Sequence, residues 1–178
     1  MSLSSPQALA IALLRARRSR RSWIAGSAVL SPFLARHPGD LDIHHPDARA
    51  VRAAIRADLA ALLEHGFAID GSAWQETERW AWFRHDTGPL VLNWVIVEHP
   101  ERARPRQHPD FGYAVTVEDA VAEKLGIAET SRQPKDIEDL RAISGARVPL
   151  PPDLSRRVEA FVRRPLPVSR TAPGRRHS

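Results

Sequence analysis

Two stretches decide how this chain is read: Ser22-Trp23-Ile24-Ala25-Gly26-Ser27 and, after twelve further residues, Asp40-Leu41-Asp42-Ile43-His44. The first reads as a short apolar strand that ends at Gly26-Ser27, with a short helix over Ala28–Leu34 stopped by the turn His37-Pro38-Gly39. The second alternates polar and apolar residues, as a half-buried strand does. On a strand, residues i and i+2 share a face, so Asp40 and Asp42 point one way while Leu41 and Ile43 point to the core.

Working outward, 6–21 reads as a helix with Leu9, Leu13 and Leu14 on one side and an arginine run closing it. The clearest helix is 47–65, with the stripe Ala48, Val51, Ala54, Ile55, Leu59, Leu62 and Leu63 and with Gly66 placed as a C-terminal cap. Three β-like runs follow, Phe67–Trp74, Arg79–His85 and Leu90–Val97, the last two joined by the hairpin signal Asp86-Thr87-Gly88-Pro89. The Pro- and Arg-rich stretch 98–112 reads as a surface loop. Thr116 and Asp119 form a capping box for a helix with Val117, Ala120, Val121 and Leu125 inward. Helices over 135–144 and about 153–163 complete the pattern. The expected fold is α+β, a small mixed sheet flanked by helices with a helical C-terminal part. One domain is expected over 1–164, made of an N-terminal helix (1–22), a sheet core (23–98) and a mainly helical part (99–164), before a basic, disordered tail (165–178).

Composition bounds the function. Of the 178 residues, 43% are apolar and 26% charged, which excludes wholesale disorder, and the absence of cysteine excludes disulfides, thiolate metal sites and a cysteine nucleophile. No apolar run approaches the roughly 18–20 residues that span a bilayer. The apolar stretch 8–14 is followed rather than preceded by arginines, the wrong order for a secretory signal, so a cytoplasmic location is expected. The net charge of +5 is unevenly spread: residues 1–36 and 146–178 each carry +6 and the middle carries −7. Basic ends fit an anionic partner such as RNA, DNA or nucleotide phosphates. The 24 arginines against two lysines equally fit GC-rich coding with most arginines solvated.

Two carboxylates about 7 Å apart along a strand can hold Mg²⁺. A Gly-Ser at a helix start offers backbone N–H groups and a hydroxyl to a phosphate. Together these are the parts of metal-assisted nucleotidyl transfer: a phosphate cradle, then carboxylates for the cation that offsets charge on the transferred phosphoryl group and pyrophosphate.

Gly26-Ser27 and Asp40-x-Asp42 resemble the signature of the DNA polymerase β-like nucleotidyltransferases. Two later stretches, Glu118-Asp119-Ala120-Val121-Ala122-Glu123-Lys124-Leu125 and Arg132-Gln133-Pro134-Lys135-Asp136-Ile137-Glu138-Asp139-Leu140, resemble the helical and closing motifs of the AbiEii-type group from abortive-infection and toxin–antitoxin systems. The resemblance runs from about Trp23 to Ile143. It implies that Gly26 and Ser27 contact NTP phosphates, Asp40 and Asp42 bind Mg²⁺, Lys124 reaches the triphosphate and Asp136 completes the site. It further implies an RNA acceptor (such as tRNA) or a protein acceptor, and a cognate antitoxin as partner. The expected activity is transfer of NMP from an NTP, ATP among them, to an acceptor hydroxyl. The alternatives are a catalytically weak nucleotide- or RNA-binding module on the same fold, and a nucleotidyltransferase acting on a small molecule such as an antibiotic.

One position departs from the superfamily pattern. Asn93 stands where a third carboxylate is expected, and an amide orients groups but accepts no proton at neutral pH. Glu98 and Asp136 are then the candidate bases. His44 and His45, as strand neighbours, point to opposite faces and are expected at the surface or in supporting roles. The five tryptophans are read chiefly as core and sheet packing, with base stacking by Trp74, Trp80 or Trp82 as the alternative.

Overall fold

Asp47 caps the longest helix among the described residues, its carboxylate accepting from the Ala50 N–H at 2.8 Å, and this helix backs the sheet that carries Asp42, with Asp40 just before its strand. The computed structural model describes residues 3–131 and 133–163, so the disorder expected over 165–178 lies outside the described residues. Its elements are α1 (Ser5–Leu14), β1 (Trp23–Ala25), α2 (Gly26–Leu30), β2 (Leu41–His45), α3 (Ala48–Glu64), β3 (Ala68–Trp74), β4 (Glu78–Arg84), β5 (Leu90–Ile96), β6 (Arg106–His108), β7 (Gly112–Ala114), α4 (Val117–Ser131), α5 (Pro134–Gly145) and α6 (Pro152–Val162). The architecture is α+β, with one mixed seven-stranded sheet in the order β3-β4-β5-β2-β1-β7-β6.

Pairing puts the two decisive stretches side by side. β1 and β2 run antiparallel, with Ala25 opposite Asp42 and Ile24 opposite Ile43. β2 runs parallel to β5, with Asp42 opposite Asn93. The pleat then sorts side chains. Leu41, Ile43, Leu92, Trp94, Ala81 and Phe83 are buried in the core, and α3 packs against β2 and β5. Asp42, Asn93 and Trp80 share the other face.

Several expectations are corrected. The N-terminal helix stops at Leu14, not near residue 21; a single 3₁₀ turn, Arg15–Arg17, follows, and Ser19 and Ser22 then pair across a tight turn. Its buried line is Gln7, Ala10, Ile11 and Leu14, with Leu9 and Leu13 only partly buried. Leu63, expected in the α3 stripe, is 50% exposed. The stretch 98–112 is not simply loop, because β6 and β7 form a hairpin whose second strand adds parallel to β1. These strands of three residues are too short to show alternation. Gly112 is required there: its φ is +74°, and a β-carbon would lie 2.1 Å from the Arg15 carbonyl oxygen. Of the four tryptophans in the β runs, only Trp94 is core, while Trp74 and Trp82 are exposed.

The segment after α1 is tied to the core by a buried ion pair. Arg18 turns inward and pairs with Asp58 of α3, and both side chains are almost fully buried. Trp94 Nε1 donates to the other Asp58 oxygen at 2.9 Å. Burial pushes the Asp58 carboxyl upward and the Arg18 guanidinium downward, and each partner's charge opposes the shift. Such a pair adds little against an apolar replacement, but removing one partner strands a buried charge at a cost of about 3–5 kcal/mol. Asp58→Ala should therefore lower unfolding free energy in urea by about 3–5 kcal/mol. A loss below about 1 kcal/mol would instead be that of a solvated surface pair.

Candidate active site

The left-handed turn at Gly26 sets the geometry of the cleft. Gly26 has φ +63°, and a β-carbon there would lie 2.3 Å from Asp42 Oδ2. Glycine lets the chain turn from β1 into α2 directly against the carboxylate, which any side chain would displace. Ser27 follows in the first turn of α2. Asp40, expected as the first residue of the strand, lies instead in the bend just before β2, one residue outside it.

The residues assigned to the site from sequence line one cleft of about 610 Å³: Gly26, Ser27, Asp40, Asp42, Asn93, Lys124 and Asp136. Asn93 Nδ2 donates to Asp42 Oδ1 at 3.2 Å, while the buried Asn93 Oδ1 has no protein partner. Lys124 Nζ contacts Asp136 Oδ1 at 3.0 Å and Asp139 Oδ2 at 2.9 Å. Asp139 in turn accepts from Arg36 Nε at 2.9 Å and Nη2 at 2.6 Å, a two-pronged pair that fixes both basic groups. Asp136 is thus the partner of Lys124, and Asp139 braces Lys124 and Arg36 together.

Electrostatics mark the two aspartates. Burial, then the neighbouring Asp40 charge, push the Asp42 carboxyl up to about 7. Burial raises Asp40 as well, opposed by Lys135, Arg36 and Lys124. Among the described residues no group of three His, Asp or Glu side chains is placed to hold a metal. The donor set is therefore two carboxylates beside an unpartnered amide oxygen. It fits Mg²⁺, a hard cation usually held by one or two carboxylates together with substrate phosphates.

The histidines are not at the surface. His44 is buried, lines the cleft and meets Trp23 edge-on with ring centroids 6.3 Å apart. His45 is fully buried on the other face, with Nε2 3.0 Å from Ser22 Oγ. Burial pushes both imidazoles down to about 4. The candidate base Glu98 is exposed just beyond β5 and lines the same cleft. Sequence reasoning missed Arg36, Glu78 and Glu123 in the cleft, gave Lys135 no role, and read Trp80 chiefly as packing with base stacking as the alternative. The signal for Glu78 and Trp80 was their i, i+2 spacing on one strand. Arg36 and Glu123 offered none, since surface positions share their composition.

The fold is α+β with one mixed seven-stranded sheet, and two solved structures share part of its chain path. One is Cid1 poly(U) polymerase with MgGTP bound (12% identity, TM-score 0.39), matched over 82% of this chain and 44% of that one. A second is Cid1 with its short product ApU (10% identity, TM-score 0.34), matched over 80% and 41%. The chain thus spans less than half the length of the polymerase chains it matches, and the likeness is one of chain path alone. No protein-family model matches the chain, and no curated protein is significantly similar in sequence.

The upward shift of Asp42 has a testable sign. An acid whose folded-state pKa is raised gives stability that is full below its unfolded pKa, 3.8, and is lost as pH rises through the folded value, about 7. Asp42→Asn removes that dependence. In EDTA, the Tm difference between variant and parent should become more favourable to the variant from about pH 4 to pH 7 and level off above that. A difference independent of pH would place Asp42 in water.

Proposed function

We propose that the chain is a Mg²⁺-dependent nucleotidyltransferase that moves NMP from an NTP to an acceptor hydroxyl. The observation carrying this reading is the convergence of Gly26-Ser27, Asp40, Asp42 and Lys124 on one cleft. Asp40 and Asp42 would hold the cation, and Mg²⁺ bound there supplies charge neutralisation and a more acidic attacking hydroxyl. Gly26 and Ser27 sit against Asp42 and take the triphosphate. An ammonium has three donors; Asp136 and Asp139 occupy two on Lys124 and leave the third for a phosphate oxygen. Asp136 and Asp139 are positioning residues in this scheme. The acceptor hydroxyl gives its proton to solvent water as its oxygen forms a bond to the α-phosphorus, the α–β P–O bond breaks, and pyrophosphate leaves with the electron pair.

The resemblance to AbiEii-type enzymes extends the reading to a toxin of a toxin–antitoxin or abortive-infection system. RNA such as tRNA, or a protein side chain, would be the acceptor, and an antitoxin the partner. Asn93 favours a second reading, a catalytically weak binding module, because its amide cannot take the acceptor's proton. Among the described residues no helix is long and apolar enough to cross a membrane.

The test is transfer of label from each α-³²P-NTP, with Mg²⁺, to total RNA and to protein, alongside calorimetry with the four NTPs. Transfer that falls at least about a hundredfold in Asp42→Asn, with folding intact, is the expected outcome. Tight NTP binding with no transfer to any acceptor would leave the binding-module reading in its place.

A further inference from the structure

The cleft face of β4 carries a file of side chains that nucleotidyl transfer itself does not use. Glu78, Trp80, Trp82 and Arg84 alternate along the strand and therefore share a face, opposite the buried Ala81 and Phe83. Trp80 stands in register with Asn93, which stands in register with Asp42, so one row across three strands runs from the carboxylate to an indole. Trp82 lies one step further out and is 39% exposed.

The neighbours keep these rings open. On β3 the residue opposite Trp80 is Ala73 and the one opposite Trp82 is Gly71. No bulky side chain therefore covers the rings from the sheet edge. Trp80 Nε1 donates to Glu78 Oε2 at 2.9 Å, which satisfies the indole's one polar atom within the protein and fixes its tilt. Beyond Trp82, the exposed guanidinium of Arg84 is held only by a surface pair with Asp70 at 2.8 Å. Such pairs are weak enough to yield to a phosphate. On the near side, Lys135 lines the same cleft.

We infer that Trp80 and Trp82 form a stacking platform for the unpaired bases of a single-stranded nucleic acid whose end enters the cleft as acceptor. Aromatic rings presented on an open sheet face, with a basic group along the same path, are the chemistry by which single strands are gripped without reading a duplex. Rings on alternate residues are about 7 Å apart at their Cα atoms, so the platform takes bases splayed from one another rather than a continuous stack. The terminal base lies over Trp80, two strands across from Asp42; the preceding base lies over Trp82; the phosphate beyond meets Arg84. The identity of this strand as acceptor rests on the nucleotidyl-transfer reading, whereas its binding does not.

The experiment measures binding apart from transfer. A 12-nucleotide oligo(A) RNA labelled at its 5′ end is titrated with the full chain at low salt, by anisotropy and by quenching of tryptophan fluorescence. A strand of equal length built of abasic units is the control. The expected result is binding with quenching for oligo(A) and binding at least about tenfold weaker for the abasic strand. Trp80→Ala/Trp82→Ala should weaken oligo(A) binding at least about tenfold and the abasic strand hardly at all, with Trp80→Phe/Trp82→Phe retaining binding within about threefold. The phenylalanine pair separates lost stacking from lost folding. Equal affinity for both strands, an alanine pair that binds like the parent, or a parent that binds no oligo(A) overturns the platform. Label transfer to protein without oligo(A) binding would overturn it while leaving nucleotidyl transfer intact. Base-dependent binding with no transfer would do the reverse.

Discussion

A β-carbon at position 26 would sit 2.3 Å from the Asp42 carboxylate, and the cleft depends on its absence. Antiparallel pairing of β1 with β2 places Ala25 opposite Asp42, so the chain must leave β1 directly beside a charged group. Only glycine, at φ +63°, makes that exit without pushing the carboxylate aside. The turn that follows brings Ser27 to the same edge. The spacing between Gly26-Ser27 and Asp40-x-Asp42 is thus the length of one short helix, one turn and the return into β2.

The charges of the cleft are arranged in two halves. On the helical side, Lys124 and Arg36 are already paired, to Asp136 and Asp139, and their positions are fixed before any ligand arrives. On the sheet side, Asp40 and Asp42 face one another's charge with only the Asn93 amide donating to Asp42. A partly buried carboxylate pair whose like charges outweigh the basic groups around it holds a proton more tightly than water would allow, and it also favours any hard cation that can replace that proton. The same cleft therefore presents fixed cationic groups for phosphate and an unmet demand for metal. Asn93 tunes this: as an amide it donates to Asp42 and leaves its own oxygen free, where a carboxylate would have added a third like charge.

The opposite face of the sheet carries the other charged device. Arg18, Asp58 and Trp94 link the segment after α1, the middle of α3 and β5 across the core. Fixing β5 from behind also fixes the Asn93 side chain in front, because neighbouring residues on a strand move as one unit. Stability and site geometry share a strand.

The alternation in Asp40–His44, the periodicity of 48–64, the hairpin signal at 86–89 and the Thr116–Asp119 cap were legible in the sequence, because each is set by neighbours within about four residues. So were the residues of the cleft that form spaced motifs: Gly26, Ser27, Asp40, Asp42, Lys124 and Asp136. What only the tertiary structure decided is pairing at long range. Arg18 reads as one solvated arginine among many, and it is buried because Asp58, 40 residues away, meets it in the core. Arg36 and Asp139, 103 residues apart, are joined in the same manner. The strands at 106–108 and 112–114 exist because β1 offers them an edge, and three residues are too few to announce a strand without one. Local sequence determines which elements form; which charges are buried, and which of two like residues faces the cleft, depends on partners that the chain order does not place nearby.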